Sequence, residues 1–475
     1  MPADDDISRI LASLPCSVEL PAGTGKTQLI GRLVERCAES DGRVLVLTHT
    51  HAGVDVIRRR LKHFGVPALA ATVRTIDSWS FDLISKMPQL SGIVVDEEPD
   101  WSLTQAYHEA ARAAVGSPAI VRMLRSSYAL VVVDEYQDCQ LWQHELIAEI
   151  SATVPTCVLG DRMQGLFYWG TARPVDWDTE VVTRFPREGV TVRSWRWEGR
   201  NPELGEWLLD ARLSLLRGDG VELGGAPITV RPRSDDLAAY HAGPRHPATT
   251  VAITKWPKDA AVLARRLGGS YTMIEEIEGK HLRAFANIVD SRDKAGIAAG
   301  TAQFAIECAF GVADVFTPKD RRQLQTGRAM TVTGEPDART AIQAVNALLA
   351  DSSAATVRFA LIAISKIPSF RLYRREAWFG VLDALRLCEA TDDLTALEAV
   401  VSIRTRMSRT GRRPESRIVG RPLLVKGLEF EHAVLDDPAR YDAHELYVAL
   451  SRASTSLTIV TDATSFSAAR PIRSS

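Results

Sequence analysis

No window of this chain approaches eighteen uninterrupted apolar residues, the length a helix needs to cross a bilayer. The N-terminus opens on Asp4-Asp5-Asp6 rather than on a basic segment and an apolar run. Neither a membrane span nor an export signal is therefore expected. Cysteine is scarce: six residues (Cys16, Cys37, Cys139, Cys157, Cys308, Cys388) are scattered without a CxxC pair. That spacing excludes a zinc ribbon or a dense disulfide framework and points to reduced thiols in a cytoplasmic protein. Charge of one sign is also missing. A formal net charge of −2 creates no global positive field, so any nucleic acid must be held by a local groove. What is present, 475 residues with 45% hydrophobic and 24% charged side chains, is the composition of a soluble globular protein of two to four domains.

The chain is organised around Glu19-Leu-Pro-Ala-Gly-Thr-Gly-Lys-Thr27, a glycine-rich loop between an apolar run and an amphipathic stretch. The pattern predicts strand, phosphate loop, helix. Backbone N–H groups must converge on a polyphosphate, and Gly23 and Gly25 permit the unusual backbone angles this requires. The helix that follows adds its positive dipole end. Ala22, Gly23, Thr24, Gly25, Lys26, Thr27 and Gln28 form the expected ATP cradle, with Lys26 on the β- and γ-phosphates and the Thr27 hydroxyl on Mg²⁺. Leu20 stands where this motif usually carries glycine or alanine, and Pro21 stiffens the turn after it.

Downstream, strand and helix patterns alternate. Gln28 to Cys37 is helical by spacing, and Val44 to Thr48 is an apolar run suited to a parallel strand covered on both faces. Thr48-His49-Thr50 falls at its carboxyl end, where open α/β sheets place ligands. Ala71 to Ile76 leads into Asp77-Ser-Trp-Ser80, and Thr156 to Asp161 is another strand. Val190 to Arg196 reads as strand, Pro202 to Leu216 as helix and Thr249 to Thr254 as strand, whereas Asp259 to Thr410 shows mostly alanine-rich helical spacing. Two acidic strand ends, Ile93-Val-Val-Asp-Glu-Glu98 and Leu130-Val-Val-Val-Asp-Glu-Tyr-Gln-Asp138, compete to supply the carboxylates of the nucleotide site. The second is preferred for its longer apolar run, so that Asp134 and Glu135 are the two acids expected to share the metal-binding and base roles.

Taken in order, these pieces resemble a superfamily 1 helicase of the UvrD/Rep type. AGTGKT matches motif I, LTHTHAGVDVIRRRL resembles motif Ia, and TIDSWS resembles the TFHSF segment that lies along single-stranded DNA. VVVDEYQD matches motif II, VLGDRMQGLF motif III, SWR motif IV, KGLEF motif V and ELYVALSRA motif VI. The resemblance implies an α/β fold of two RecA-like parallel-sheet cores with a mostly helical insertion in the second. The expected boundaries are 1–189 for the first core, with a small insertion at about 81–129. The second core is expected at 190–258 and 411–475, with the helical insertion at 259–410.

The same resemblance implies the individual roles, with Asp134 holding Mg²⁺ and Glu135 orienting and activating the attacking water. Arg196 and Arg452 match the arginine fingers and are expected from the second core, so that closing the two cores completes the site. Gln164 and Gln137 report the γ-phosphate to the DNA side, and Glu429 lies near the ribose. DNA contacts fall to Thr48, His49, Thr50, Ser78, Trp79, Phe167, Tyr168 and Arg421. Trp79 and the motif III aromatics read equally well as core residues, and the run Arg404 to Arg421 as a solvated linker. The chain departs from the family in three places: residues 1–20 contain no glutamine for adenine recognition, Arg421-Pro-Leu423 replaces Thr-x-His before motif V, and the 81–129 insertion is short. The expected function is an ATP-dependent translocase or helicase on single-stranded or tailed DNA, using ATP and Mg²⁺. The alternative is a DNA-sensing ATPase that regulates a separate nuclease partner, as in phage-defence systems.

Overall fold

The computed structural model describes residues 4–166, 173–241, 249–276, 279–410 and 415–469. Five of the apolar runs become one parallel sheet: β1 (Cys16–Glu19), β2 (Val44–Thr48), β3 (Ala71–Thr75), β4 (Leu130–Val133) and β5 (Thr156–Gly160). Their order is β1-β5-β4-β2-β3, and every pairing is parallel. The runs lack alternation because both faces are covered. Val44, Val46, Leu130 and Val132 join a core on one side, while Leu45, Leu47, Val131 and Val133 join a core on the other.

The ends of the connecting helices follow from local chemistry. Thr50 caps His51–His63 by accepting from the Gly53 N–H at 3.0 Å, and Thr75 caps Ile76–Lys86 by accepting from the Ser78 N–H at 3.0 Å. The competing acidic stretch does not form a strand. Residues 93–98 are irregular and Val94 is exposed, so the run is too short to hold a place among the buried strands.

By packing, the chain divides into two units: Met1–Ile228 with Pro438–Ser456 and Ala463–Ser475, and Thr229–Asp437 with Leu457–Asp462. The second unit is built on a six-stranded sheet of β6 (Thr229–Arg231), β7 (Thr250–Ile253), β8 (Thr272–Met273), β9 (Arg417–Gly420), β10 (Phe430–Leu435) and β11 (Ala453–Val460). Its order is β6-β11-β10-β7-β9-β8, with β6–β11, β10–β7, β7–β9 and β9–β8 parallel. Two parallel-sheet α/β cores of the RecA-like kind are therefore present. Between β8 and β9 run helices from Lys280–Asp290 to Ala396–Thr410, which enclose a hydrophobic core of their own around Phe285, Phe304, Leu361 and Trp378.

Candidate functional site

The loop after β1 takes the shape its glycines allow. Gly23 and Gly25 have φ of +71° and +99°, values that other residues avoid. Pro21 begins a tight turn whose carbonyl accepts from the Thr24 N–H at 3.3 Å and the Thr24 hydroxyl at 2.7 Å. Leu20 extends the sheet by donating to the Gly160 carbonyl at 2.9 Å and fills the core with its side chain, which accounts for a large residue where the motif usually has a small one. The helix Lys26–Ala38 then starts with no side-chain cap, leaving its first N–H groups for a ligand. Thr27 and Gln28 stand half-buried on its first turn.

Lys26 Nζ lies 3.7 Å from Glu135 Oε1. Burial pulls the Lys26 ammonium down, but Glu135, Asp161 and Asp134 outweigh it and hold the group above its ordinary value. Asp134 moves the other way: burial first, and then the charge of Glu135, push its carboxyl well above the usual range. Two acids crowded against one lysine form a charge excess that a hard divalent cation would relieve. Among the described residues, no three His, Cys, Asp or Glu side chains come together as a ready-made cage. The donor set therefore fits Mg²⁺ held by Asp134, the Thr27 hydroxyl and phosphate oxygens of the nucleotide.

Glu135 is one of the few non-glycine residues with positive φ, at +54°. Such backbone costs on the order of 1–3 kcal/mol and persists where surrounding contacts impose it. Those contacts form a chain. Gln137 donates to Glu135 Oε2 at 2.5 Å and accepts from the Asp161 N–H at 3.0 Å, while Gln164 donates to Asp161 Oδ2 at 2.9 Å. Glu135 at the tip of β4 and the turn after β5 are thus joined through Gln137, with Gln164 bonded to Asp161 inside that turn.

Val190–Arg196 does not form a strand. It crosses the phosphate loop in turns, and its Arg196 N–H bonds the Gly23 carbonyl at 3.0 Å. The Arg196 guanidinium donates to the Ser451 carbonyl at 2.7 Å. Arg452 is buried, donating from Nε to the Val448 carbonyl at 2.8 Å and from Nη2 to the Ser451 hydroxyl at 2.8 Å. Both segments pack in the first unit with the loop.

Several residues here went unread in the sequence. Trp197 lies against Gly23, where a Cβ would come within 2.6 Å of its ring, and its indole N–H bonds the Ala453 carbonyl at 2.7 Å. Trp195 covers Gly25 with the Arg193 guanidinium 4.4 Å from its ring centre. The Tyr447 hydroxyl accepts from the Ala22 N–H at 2.8 Å. The repeated tryptophan in Ser194-Trp-Arg-Trp197 was the one visible signal for this aromatic cover.

The residues expected to meet DNA are dispersed. Thr48 is buried at the end of β2, His49 Nε2 is 3.4 Å from Cys139 Sγ, and Thr50 is exposed at its cap. Ser78 is half-buried, and the Thr75 hydroxyl donates to its oxygen at 2.8 Å. Trp79 is 7% exposed and packs in the core with Tyr107 and Leu83. Arg421 pairs with Glu276 in the second unit, where Glu429 is exposed just before β10. Phe167 and Tyr168 lie outside the described residues, as do Arg412 and Arg413.

Residues 6–170 match the family model described as AAA domain. No curated protein matches the sequence. Among solved structures, the Pif1 helicase from Candida albicans is similar at 10% identity over 99% of this chain and 97% of that one, with a TM-score of 0.43. The phosphate loop and the paired acids on β4 fall within the AAA-domain match and together form a nucleotide-binding arrangement. No helix among the described residues is long and apolar enough to cross a membrane.

Proposed function

We propose that the chain is a UvrD-like motor that couples ATP hydrolysis to movement along single-stranded or tailed DNA. One observation carries the coupling. Asp77, in the segment that resembles the family's strand-binding stretch, accepts from Gln143 Nε2 at 3.1 Å, and Gln143 lies on the helix that directly follows the DEYQD motif. His108 Nε2, 3.1 Å from the same carboxylate, holds it from the other side. A strand seated on His49, Thr50 and Ser78, beside the buried Thr48, would therefore touch elements hydrogen-bonded to the helix that follows the paired acids.

In this reading Lys26 draws charge from the β- and γ-phosphates, and Glu135 orients the attacking water and takes its proton. Thr27 and Asp134 would hold Mg²⁺, which when bound would supply charge neutralisation for the nucleotide. Arg196 and Arg452 face the negative charge that spreads over the γ-phosphate oxygens as the bond breaks. Gln137 and Gln164 respond to loss of that phosphate because both are hydrogen-bonded to the turn at Asp161, and Glu429 serves the ribose. Arg421 holds a DNA phosphate by charge.

The test is ATP turnover with and without single-stranded DNA, alongside strand displacement on forked and tailed duplexes. Stimulation by single strands together with displacement supports the motor. Turnover indifferent to DNA rejects it.

A further inference from the structure

We infer that Arg212 is a positioning residue for ATP hydrolysis, acting through Asp161 on Gln137, the glutamine that holds Glu135. It sits on the helix Pro202–Arg217, in a stretch that none of the recognised motifs covers, and is only 6% exposed. Its guanidinium lies between two carboxylates. Nη2 and Nε donate to Asp161 Oδ1 at 2.8 and 3.2 Å, and Nη2 also pairs with Glu19 Oε1.

Asp161 is fully buried and every edge of it is used. Oδ1 accepts from Arg212 and from the Met163 N–H at 3.2 Å, Oδ2 accepts from Gln164, and the backbone N–H donates to Gln137. The orientation of both glutamine amides, and through Gln137 that of the Glu135 carboxylate, thus depends on how Asp161 is held. Glu19 anchors the far side of the clamp. It ends β1 immediately before the phosphate loop and also receives Arg187 Nη2 at 2.8 Å and Arg162 Nε at 3.2 Å. Tyr447 closes the arrangement, with its hydroxyl bonded to the Ala22 N–H and to Asp161, and its ring centre 5.8 Å from Arg212.

A buried ion pair is weak evidence of stabilisation by itself, and a purely structural role would show only in folding. The contacts of Arg212 reach the catalytic base through three successive hydrogen bonds and make none to the phosphate-binding N–H groups. Its loss should therefore disturb turnover more than nucleotide affinity. Lysine offers one charge point where the planar guanidinium bonds two carboxylates at fixed angles, so it should replace Arg212 only in part.

The experiment measures kcat, KM and Tm for Arg212→Gln, Arg212→Lys and the double variant Glu19→Gln/Arg212→Gln. Arg212→Gln is expected to lower kcat by roughly 100-fold, the loss that a displacement of about 1 Å in a catalytic group produces. KM should change less than about twofold, since uniform binding is untouched. Glu19 keeps Arg187 and Arg162 when Arg212 is lost, so the double variant removes only its charge, and kcat should stay low whatever happens to Tm because Asp161 still lacks its clamp. This second variant also carries the test if Arg212→Gln fails to fold. Wild-type kcat in Arg212→Gln, or a kcat that returns with Tm in the double variant, would overturn the inference. This role of Arg212 rests on the proposed ATP hydrolysis, and wild-type turnover measured in parallel separates failure of that reading from failure of this one.

Discussion

Replacing Glu135 by glutamine preserves shape and removes one charge, and the structure gives that charge two opposing tasks. Glu135 is placed to accept a proton from water, a contribution of about 10²–10⁴ in rate, so kcat should fall by that factor. It also sits 3.7 Å from Lys26, and a unit charge pair at that distance is worth about 4–5 kcal/mol at an effective dielectric of 20. Glu135 is 31% exposed on its side chain, and water returns most of that energy, leaving roughly 1 kcal/mol. With the pair removed, Lys26 is released to the phosphates and ATP should bind about fivefold more tightly. The backbone at φ +54° is tolerated equally by both side chains. Fluorescence titration with a labelled ATP analogue and steady-state hydrolysis measure the two effects separately. Turnover within threefold of wild type would refute the assignment, above all if Glu97→Gln abolished it.

Arg196→Ala and Arg452→Ala should each lower kcat more than they raise KM, and Arg452→Ala should also lower Tm because its buried guanidinium satisfies the Val448 carbonyl. Asp77 supplies an acid-side test. Burial raises its carboxyl, but the hydrogen bond and charge of His108, with His49 and Gln143, more than reverse this and leave it below its ordinary value of 3.8. A depressed pKa contributes stability that is present above the unfolded value and lost as pH falls through the folded one. Asp77→Asn should therefore flatten the loss of stability below about pH 4, read by urea unfolding at several pH values. Arg421→Ala should weaken single-strand binding and reduce the slope of log K against log salt by about 0.7, while leaving ATP turnover without DNA unchanged. Trp79→Ala should act through folding, at a cost of about 3–5 kcal/mol for a buried tryptophan, rather than through a stacked base.

The phosphate loop, the strands β1 to β5 and the acids at the tip of β4 were legible from the sequence because each depends on neighbours along the chain. Glycine at positive φ, an unbroken apolar run and a threonine cap are local choices, and they agree with one another. The spacing reads as helical over 259–410, and the structure places the short strand β8 (Thr272–Met273) of the second sheet inside that span. Tertiary packing alone decided where polar side chains point. Ile93–Glu98 and Leu130–Asp138 look alike as strings, yet only the longer apolar run reaches the centre of the sheet. Val190–Arg196 alternates like a strand, but its backbone bonds go to the loop at Gly23 instead of a neighbouring strand. Trp79 turned inward because the helix Thr104–Val115 packs beside it and offers Tyr107 and Ala111 as apolar partners. The clamp of Glu19, Arg212 and Asp161 joins residues up to 193 positions apart, and no periodicity or motif encodes such a pairing. A buried charge is placed by the partners that fold around it, whereas a glycine turn or an apolar strand is placed by what stands next to it in the chain.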